Sequence, residues 1–260
     1  MREHMVARRS PWVRTGFALT FATLIVLLAA SAGYAQNATV TSVAGAASIE
    51  RAGASLPASV GMPVETGDRV SVSAGGKVVI TLNDSSVLEV GSSSTIIIDE
   101  QLFGAGGVRQ STKLRMLSGI LRSVVKHSSS GNLPNFEIHT PNAILAARGT
   151  TFDTAFIQGQ RRFGFGSCSQ FTDERTYKGV VGVRNAATPD AAEVLVEAGY
   201  ETTVPCDSAP LHPGPLGMTG IPSGGASAFT ATEPGAAVVA PPPSTGPPVM
   251  PPSMTGSEKP

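Results

Sequence analysis

Polar and apolar side chains alternate along much of the chain between Thr39 and Cys206. In Lys77-Val78-Val79-Ile80-Thr81-Leu82, the residues Val78, Ile80 and Leu82 share one face. That period of two belongs to a strand, whose successive side chains point to opposite sides. The same pattern marks Ser86–Val90, Thr95–Asp99, Lys113–Met116, Gly119–Val125, Phe136–Thr140, Thr151–Phe156, Arg162–Gly166, Tyr177–Val183 and Glu193–Val196. Asn142–Arg148 would suit a helical turn by composition. Pro141 and Gly149 confine it to seven residues, and it is read as a strand. Turn formers stand between these runs at Gly75-Gly76, Asn83-Asp84, Gly91, Gly104–Gly107, Asn132, Pro134, Gly159 and Gly199. Many short strands rich in Val, Ile, Thr and Phe predict an all-β unit: a single β-roll, solenoid-like or sandwich-like domain.

The two ends of the chain break the pattern in different ways. Of the 20 prolines, 14 lie between Pro205 and Pro260, where Pro241-Pro-Pro, Pro247-Pro and Pro251-Pro carry no apolar period. Such a segment buries too little apolar surface to offset the entropy of ordering it, so 207–260 is expected to be a disordered tail. At the other end, Arg2, Arg8, Arg9 and Arg14 precede the uncharged apolar stretch Gly16–Ala30, and Gly33-Tyr34-Ala35 follows. A basic start, a short apolar core and a small-x-small exit predict an export signal over 1–35, leaving the domain at 36–206. No cysteine lies near that exit, so a lipid anchor does not fit. The expected location is the periplasm or the medium, with the membrane met only in transit.

Charge changes meaning once the leader is set aside. The chain has 19 basic and 19 acidic residues, and removing 1–35 leaves 15 against 18, a net of about −3. A weakly acidic protein lacks the basic footprint that phosphate neutralisation requires, which excludes nucleic acid as the expected partner. Cys168 and Cys206 both lie in the exported part. An even count in an oxidising compartment predicts a disulfide between them, with two buried thiols as the alternative.

The series from Gly61 to Phe156 resembles the FecR domain of bacterial periplasmic proteins. Gly67-Asp68-Arg69-Val70, Asn83-Asp84-Ser85-Ser86 before an alternating strand, and Leu117-Ser118-Gly119-Ile120-Leu121 carry the first part of the resemblance. Its most specific element is Phe136-Glu-Ile-His-Thr140-Pro141, followed by Arg148-Gly149-Thr150-Thr151-Phe152. Thr176–Val183 and Val194–Gly199 look like the two strands that usually follow. Ser85 stands where the family's Asp-Gly-Ser turn has glycine. The resemblance implies a structural role for Gly67, Asp68, Asp84, Gly119, Thr140, Pro141, Arg148, Gly149, Thr150 and Phe152. Regulators of this name resemble a three-part plan: a cytoplasmic anti-sigma region, one membrane span and a periplasmic module. The few residues before Gly16 do not supply the first of these.

Catalytic chemistry needs a nucleophile, a base and an orienting group that converge, and no Gly-x-Ser-x-Gly elbow occurs. His139 falls on the polar face of a strand. Gly104–Gly107 lacks the Gly-Lys-Ser/Thr ending of a phosphate loop and is read as an ordinary loop. Asp68 and Asp84 are turn acids whose carboxylates can bond the backbone two residues on. Arg148 is expected to brace its turn by pairing with Asp153 or Glu137, in preference to binding an anion with its fork. No catalytic residue, cofactor or metal ligand is expected. The reading is an exported, non-catalytic β-module that binds an unknown protein or cell-envelope component. The alternative is a signal-anchored, FecR-like sensor of transmembrane signalling.

Overall fold

The computed structural model describes residues 38–128 and 135–217. The expected export signal over 1–35, the turn expected at Asn132 and Pro134, and the expected disordered tail beyond Gly217 lie outside the described residues. Among the described residues sixteen strands form: β1 Ala38–Ala44, β2 Ala47–Arg51, β3 Ala54–Pro57, β4 Arg69–Val72, β5 Lys77–Leu82, β6 Val87–Val90, β7 Ser94–Phe103 and β8 Arg109–Val124. They continue with β9 Phe136–His139, β10 Ala143–Ala147, β11 Thr151–Gln158, β12 Gln170–Lys178, β13 Val180–Asn185, β14 Val194–Glu197, β15 Tyr200–Pro205 and β16 Gly214–Pro215.

The strands make one continuous sheet bent into two halves, and β8 is the strand they share. Its first part, through Ser118, pairs with β7 and β9 in the half ordered β3-β2-β4-β7-β8-β9-β10-β13-β14. Its second part pairs with β6 and β11 in the half ordered β1-β5-β6-β8-β11-β12-β15-β16. Pairing is antiparallel except between β8 and β9. The sequence pattern divides this strand into Lys113–Met116 and Gly119–Val125 for a physical reason. Thr95 pairs with Ser118 but Ile96 with Met116, so Leu117 is an extra residue. The bulge shifts the inward positions from Leu114 and Met116 to Leu121 and Ser123. Gly119 takes φ +89° at the bend, and a Cβ there would lie 2.5 Å from Ser94 Cα. Only glycine lets the strand pass from one half to the other.

The inner faces bury one core, with Val78, Ile80, Leu88 and Leu121 from one half and Ile96, Leu114, Ile138 and Leu145 from the other. Phe136 and Phe152 meet edge to face across it, with ring centroids 6.4 Å apart. A polar clamp closes one end, where Thr140 and Thr172 hydroxyls lie 2.7 Å apart and Asn142 Nδ2 donates to the Val204 carbonyl at 2.7 Å. The all-β expectation is met, and Ala143–Ala147 is a strand as read.

Three readings need correction. Arg162–Gly166 is a turn, because Gly164 and Gly166 adopt positive φ and the alternating Phe163 and Phe165 go to solvent and to Phe171. Tyr177–Val183 is broken at Gly179, φ +81°, into the end of β12 and the start of β13. Residues 207–217, assigned to the tail by composition, lie along β15. Leu211 N–H donates to the Thr203 carbonyl at 2.9 Å, and Leu216 N–H to that of Gly199 at 3.0 Å. Prolines are tolerated there because an outermost strand can lack a donor. Among the described residues, no helix is long and apolar enough to cross a membrane.

Candidate functional site

The β5–β6 hairpin turns through Asn83, Asp84 and Ser85. Ser85 N–H donates to the Leu82 carbonyl at 2.9 Å, and Ser85 itself takes φ +65°. This is a type I turn followed by one left-handed residue, the position where a three-residue hairpin loop favours glycine. Ser86 N–H donates to Asp84 Oδ1 at 3.0 Å, the two-residue bond expected of a turn aspartate. Because a side chain at positive φ is strained, Ser85→Gly is expected to raise stability by up to about 1 kcal/mol in urea unfolding. A destabilised variant would show that the serine side chain holds the turn.

The other oxygen of Asp84 leads to a group to which the sequence pattern assigns no partner. Arg109, the first residue of β8, is fully buried and its Nη1 donates to Asp84 Oδ2. Nη1 also donates to Ser86 Oγ at 2.8 Å, Nη2 to the Lys126 carbonyl at 2.7 Å, and Nε to Asn135 Oδ1 at 3.1 Å. Asn135 Nδ2 and Ser128 Oγ return bonds to the Arg109 carbonyl at 2.8 and 2.7 Å. Phe136 closes the guanidinium from the side, its ring centroid 5.7 Å away. Burial lowers the pKa of Arg109, and Asp84 opposes that shift; a guanidinium keeps its charge regardless. A polar cleft of about 260 Å³ opens in front, lined by Asn83, Ser85, Gly106, His127 and Ser128 together with Asp84 and Arg109. The arginine is turned inward and ties the Asn83–Ser86 turn to the start of β8 and the ends of the segment 126–135.

The other motif residues act similarly. Asp68 is buried, and Arg51 grips it with Nε to Oδ1 at 2.8 Å and Nη2 to Oδ2 at 2.7 Å. Its backbone bond comes from Glu65 N–H, three residues earlier, not two residues on. Gly67, at φ +94°, donates its N–H to the Ile98 carbonyl at 2.7 Å. Thr140 Oγ1 accepts from Ala143 N–H at 2.9 Å across the exposed Pro141 turn. Arg148 pairs with neither expected acid. Its Nη2 donates to the Ser128 carbonyl at 3.0 Å and lies 3.1 Å from His127 Nε2. Asp153 is taken by Arg122, and Glu137 by His139 at 2.7 Å. The bond from His139 holds the Glu137 carboxyl below its usual pKa. Gly149, φ +65°, packs beside His127; Thr150 accepts Val125 N–H at 2.7 Å through its carbonyl, and Phe152 is core.

Polar residues also organise β11, β12 and β15. Glu89, Arg122, Asp153, Arg175 and Glu201 are successive register partners across five strands, an alternating row of charge on the outer face. Arg122 Nε reaches Asp153 Oδ1 at 2.7 Å, Arg175 Nε reaches Glu201 Oε2 at 2.9 Å, and Tyr177 Oη donates to Asp153 at 2.8 Å. On the inner face Glu174 is fully buried. Thr176 Oγ1 donates to its Oε1 at 2.6 Å, and its Oε2 has no partner among the described residues. Desolvation pushes this carboxyl up to about 8, with Asp153 and Glu201 adding to the shift.

Cys168 and Cys206 form a disulfide with Cα atoms 5.8 Å apart, linking the approach to β12 with the end of β15. Among the described residues, no group of three His, Cys, Asp or Glu side chains could hold a metal ion. No curated protein matches the chain. Two crystal structures described as "a putative anti-sigma factor from Parabacteroides distasonis ATCC 8503" resemble it at 14% and 15% identity, with TM-scores of 0.41 and 0.40. Each alignment covers 56% of this chain and 59% of the other. Residues 68–162 match the family described as FecR protein, from the buried Asp68 through the Arg109 node and the Arg148-Gly149-Thr150 turn. The strands expected over Thr176–Gly199 from the resemblance lie beyond that match. The FecR region recognised in this chain is therefore residues 68–162.

Proposed function

We propose that the protein is an exported, non-catalytic interaction module of the cell envelope, working in the periplasm or outside the cell without a cofactor. The observation that carries the reading is the Arg109–Asp84–Ser86 node: the FecR motif contributes its polar groups to bracing the fold. Arg51–Asp68 and Thr140–Asn142 do the same at two other corners. A scaffold organised this way presents surfaces, and its partner is a protein or another component of the envelope. The basic leader, the apolar stretch and Gly33-Tyr34-Ala35 support export.

N-terminal sequencing of material from the native host tests this directly. The mature chain is expected to begin at or near Gln36 and to fractionate with the periplasm or the medium. Met1 intact in inner-membrane fractions would overturn the exported reading and favour the signal-anchored sensor.

A further inference from the structure

The turn between β11 and β12 presents a phenylalanine to water. Phe163 is 105% exposed, the extreme among the described large apolar side chains. Its loop is nevertheless held firmly. Gly159 N–H donates to the Ser169 carbonyl at 2.8 Å, closing the base, and the Cys168–Cys206 disulfide anchors the returning arm. Arg162 forks onto Asp173 at 2.7 and 2.6 Å and lies over the Phe171 ring at 4.4 Å. Phe165 turns inward onto the same ring, with centroids 5.4 Å apart. So much bracing beneath one outward aromatic makes a preorganised knob, with the exposed Arg161 beside it.

A receptor of matching chemistry lies at the other end of the same strands. Val194, Leu195, Glu197, Tyr200, His212 and Pro213 line a mainly apolar pocket of about 300 Å³. Leu195 and Tyr200 stay 60% and 41% exposed, and the exposed Glu197 is the acid in this lining, with His212 and Tyr200 its other ionisable side chains. In the β12–β15 register, Phe171 faces Pro205 near the knob, whereas Arg175 faces Glu201 near the pocket. The knob therefore cannot reach the pocket of its own chain, since the length of β12, roughly 25 Å at strand rise, separates them.

We propose that the pocket's occupant is Phe163 of a second copy, with Arg161 set against Glu197. The apolar pocket and its acid complement the aromatic knob and its cation. Knob and pocket sit at opposite ends, so the contact is heterologous and propagates head to tail unless the rotation closes a ring. The inference deepens the reading of the chain as an interaction module and rests on it.

Sedimentation velocity of the mature chain, residues 36–260, over a wide concentration range tests the proposal. The average mass should rise past the dimer with concentration. Phe163→Ser and Leu195→Asp should each weaken association about thirtyfold or more, as loss of an interface anchor does. Both positions are exposed, so unfolding temperatures should stay at the wild-type value. Mixing the two variants is the decisive arm, because one keeps an intact pocket and the other an intact knob. They should recover association that stops at one-to-one pairs. A wild type monomeric at every concentration, a Phe163→Ser protein that assembles normally, or a mixture that stays monomeric would each overturn the proposal. So would wild-type flotation with phosphatidylglycerol vesicles that Phe163→Ser abolishes, which would reassign the knob to lipid. A monomeric protein recovered from the periplasm would remove self-docking and leave the exported module standing, whereas Met1 intact in the inner membrane would remove that module itself.

Discussion

Replacing Arg109 with methionine is expected to lower the free energy of unfolding by about 3–5 kcal/mol, the cost of removing one partner from a buried ion pair. Methionine fills part of the volume but supplies none of the donors. Asp84, only 10% exposed at its side chain, would lose its cation, while the Lys126 carbonyl and Asn135 Oδ1 would lose the N–H groups now directed at them. Each stranded polar group adds its own desolvation cost. Arg109→Lys should recover little, because a single ammonium cannot reach four acceptors spread around a planar fork. Urea unfolding at pH 7 measures both. A double variant, Arg109→Met with Asp84→Asn, should be less destabilised than the two single changes combined, since no uncompensated charge remains. A loss below about 1 kcal/mol in Arg109→Met would mean that water reaches these groups and that the node is a surface feature.

That node shows where sequence reasoning stops. The alternation in β5, β6 and β9 identifies strands and their inward faces, because apolar side chains carry the signal and the period is strict. Asp84 is recognisable as a turn acid, and Ser85 as the residue standing in a glycine position. The partner of Asp84 is not recognisable, since it lies 25 residues away in sequence and follows a glycine-rich loop. The bulge at Leu117 and the shift beside Phe103 change the phase of β8, so no periodicity places Arg109 inward. Arg148 illustrates the converse error. Two acids within reach in sequence suggested a pair, but the fold gives both to other side chains and leaves Arg148 on a carbonyl.

Beyond the FecR match the sequence signal weakens for another reason. In β12 and β15 both faces are polar: Asp173 and Thr203 on one, Glu174, Thr176 and Thr202 on the other, and all are buried. Strand prediction relies on one apolar face, so 170–176 and Tyr200–Pro205 carry no strand signal although they stand inside the sheet. β1 to β3 are obscured by small residues instead, Ala38, Ala44, Ala47 and Ala54 among them. The paired cysteines are legible because an even count and the expected oxidising compartment suffice to suggest a bond. The loop they fasten is not legible, since Phe163-Gly-Phe165-Gly imitates a strand while two left-handed glycines turn the chain.

The second large effect comes from Glu174, whose replacement by glutamine is expected to stabilise the protein increasingly as pH rises. The carboxyl titrates near 4.5 in the unfolded chain and at about 8 in the folded one. Between those values the folded protein retains a proton that the unfolded chain has released, so stability falls with rising pH by about 1.4 kcal/mol per unit. Below the lower value both states are protonated, and above the upper one both are ionised; the loss is confined to the window between them. Across the whole window it amounts to roughly 4–5 kcal/mol. Glutamine matches the neutral acid in shape, accepts the Thr176 hydroxyl through its carbonyl and cannot ionise. Its amide brings a constant offset, because Oε2 of Glu174 and the neighbouring Thr154 hydroxyl have no partners among the described residues. The test is therefore the pH dependence of the difference between variant and wild type. Urea unfolding at pH 5, 6, 7 and 8 should show that difference growing in favour of Glu174→Gln, while titrations common to both proteins cancel. A difference that stays flat over this range would mean that Glu174 ionises normally, as it would if solvent entered between the halves of the sheet.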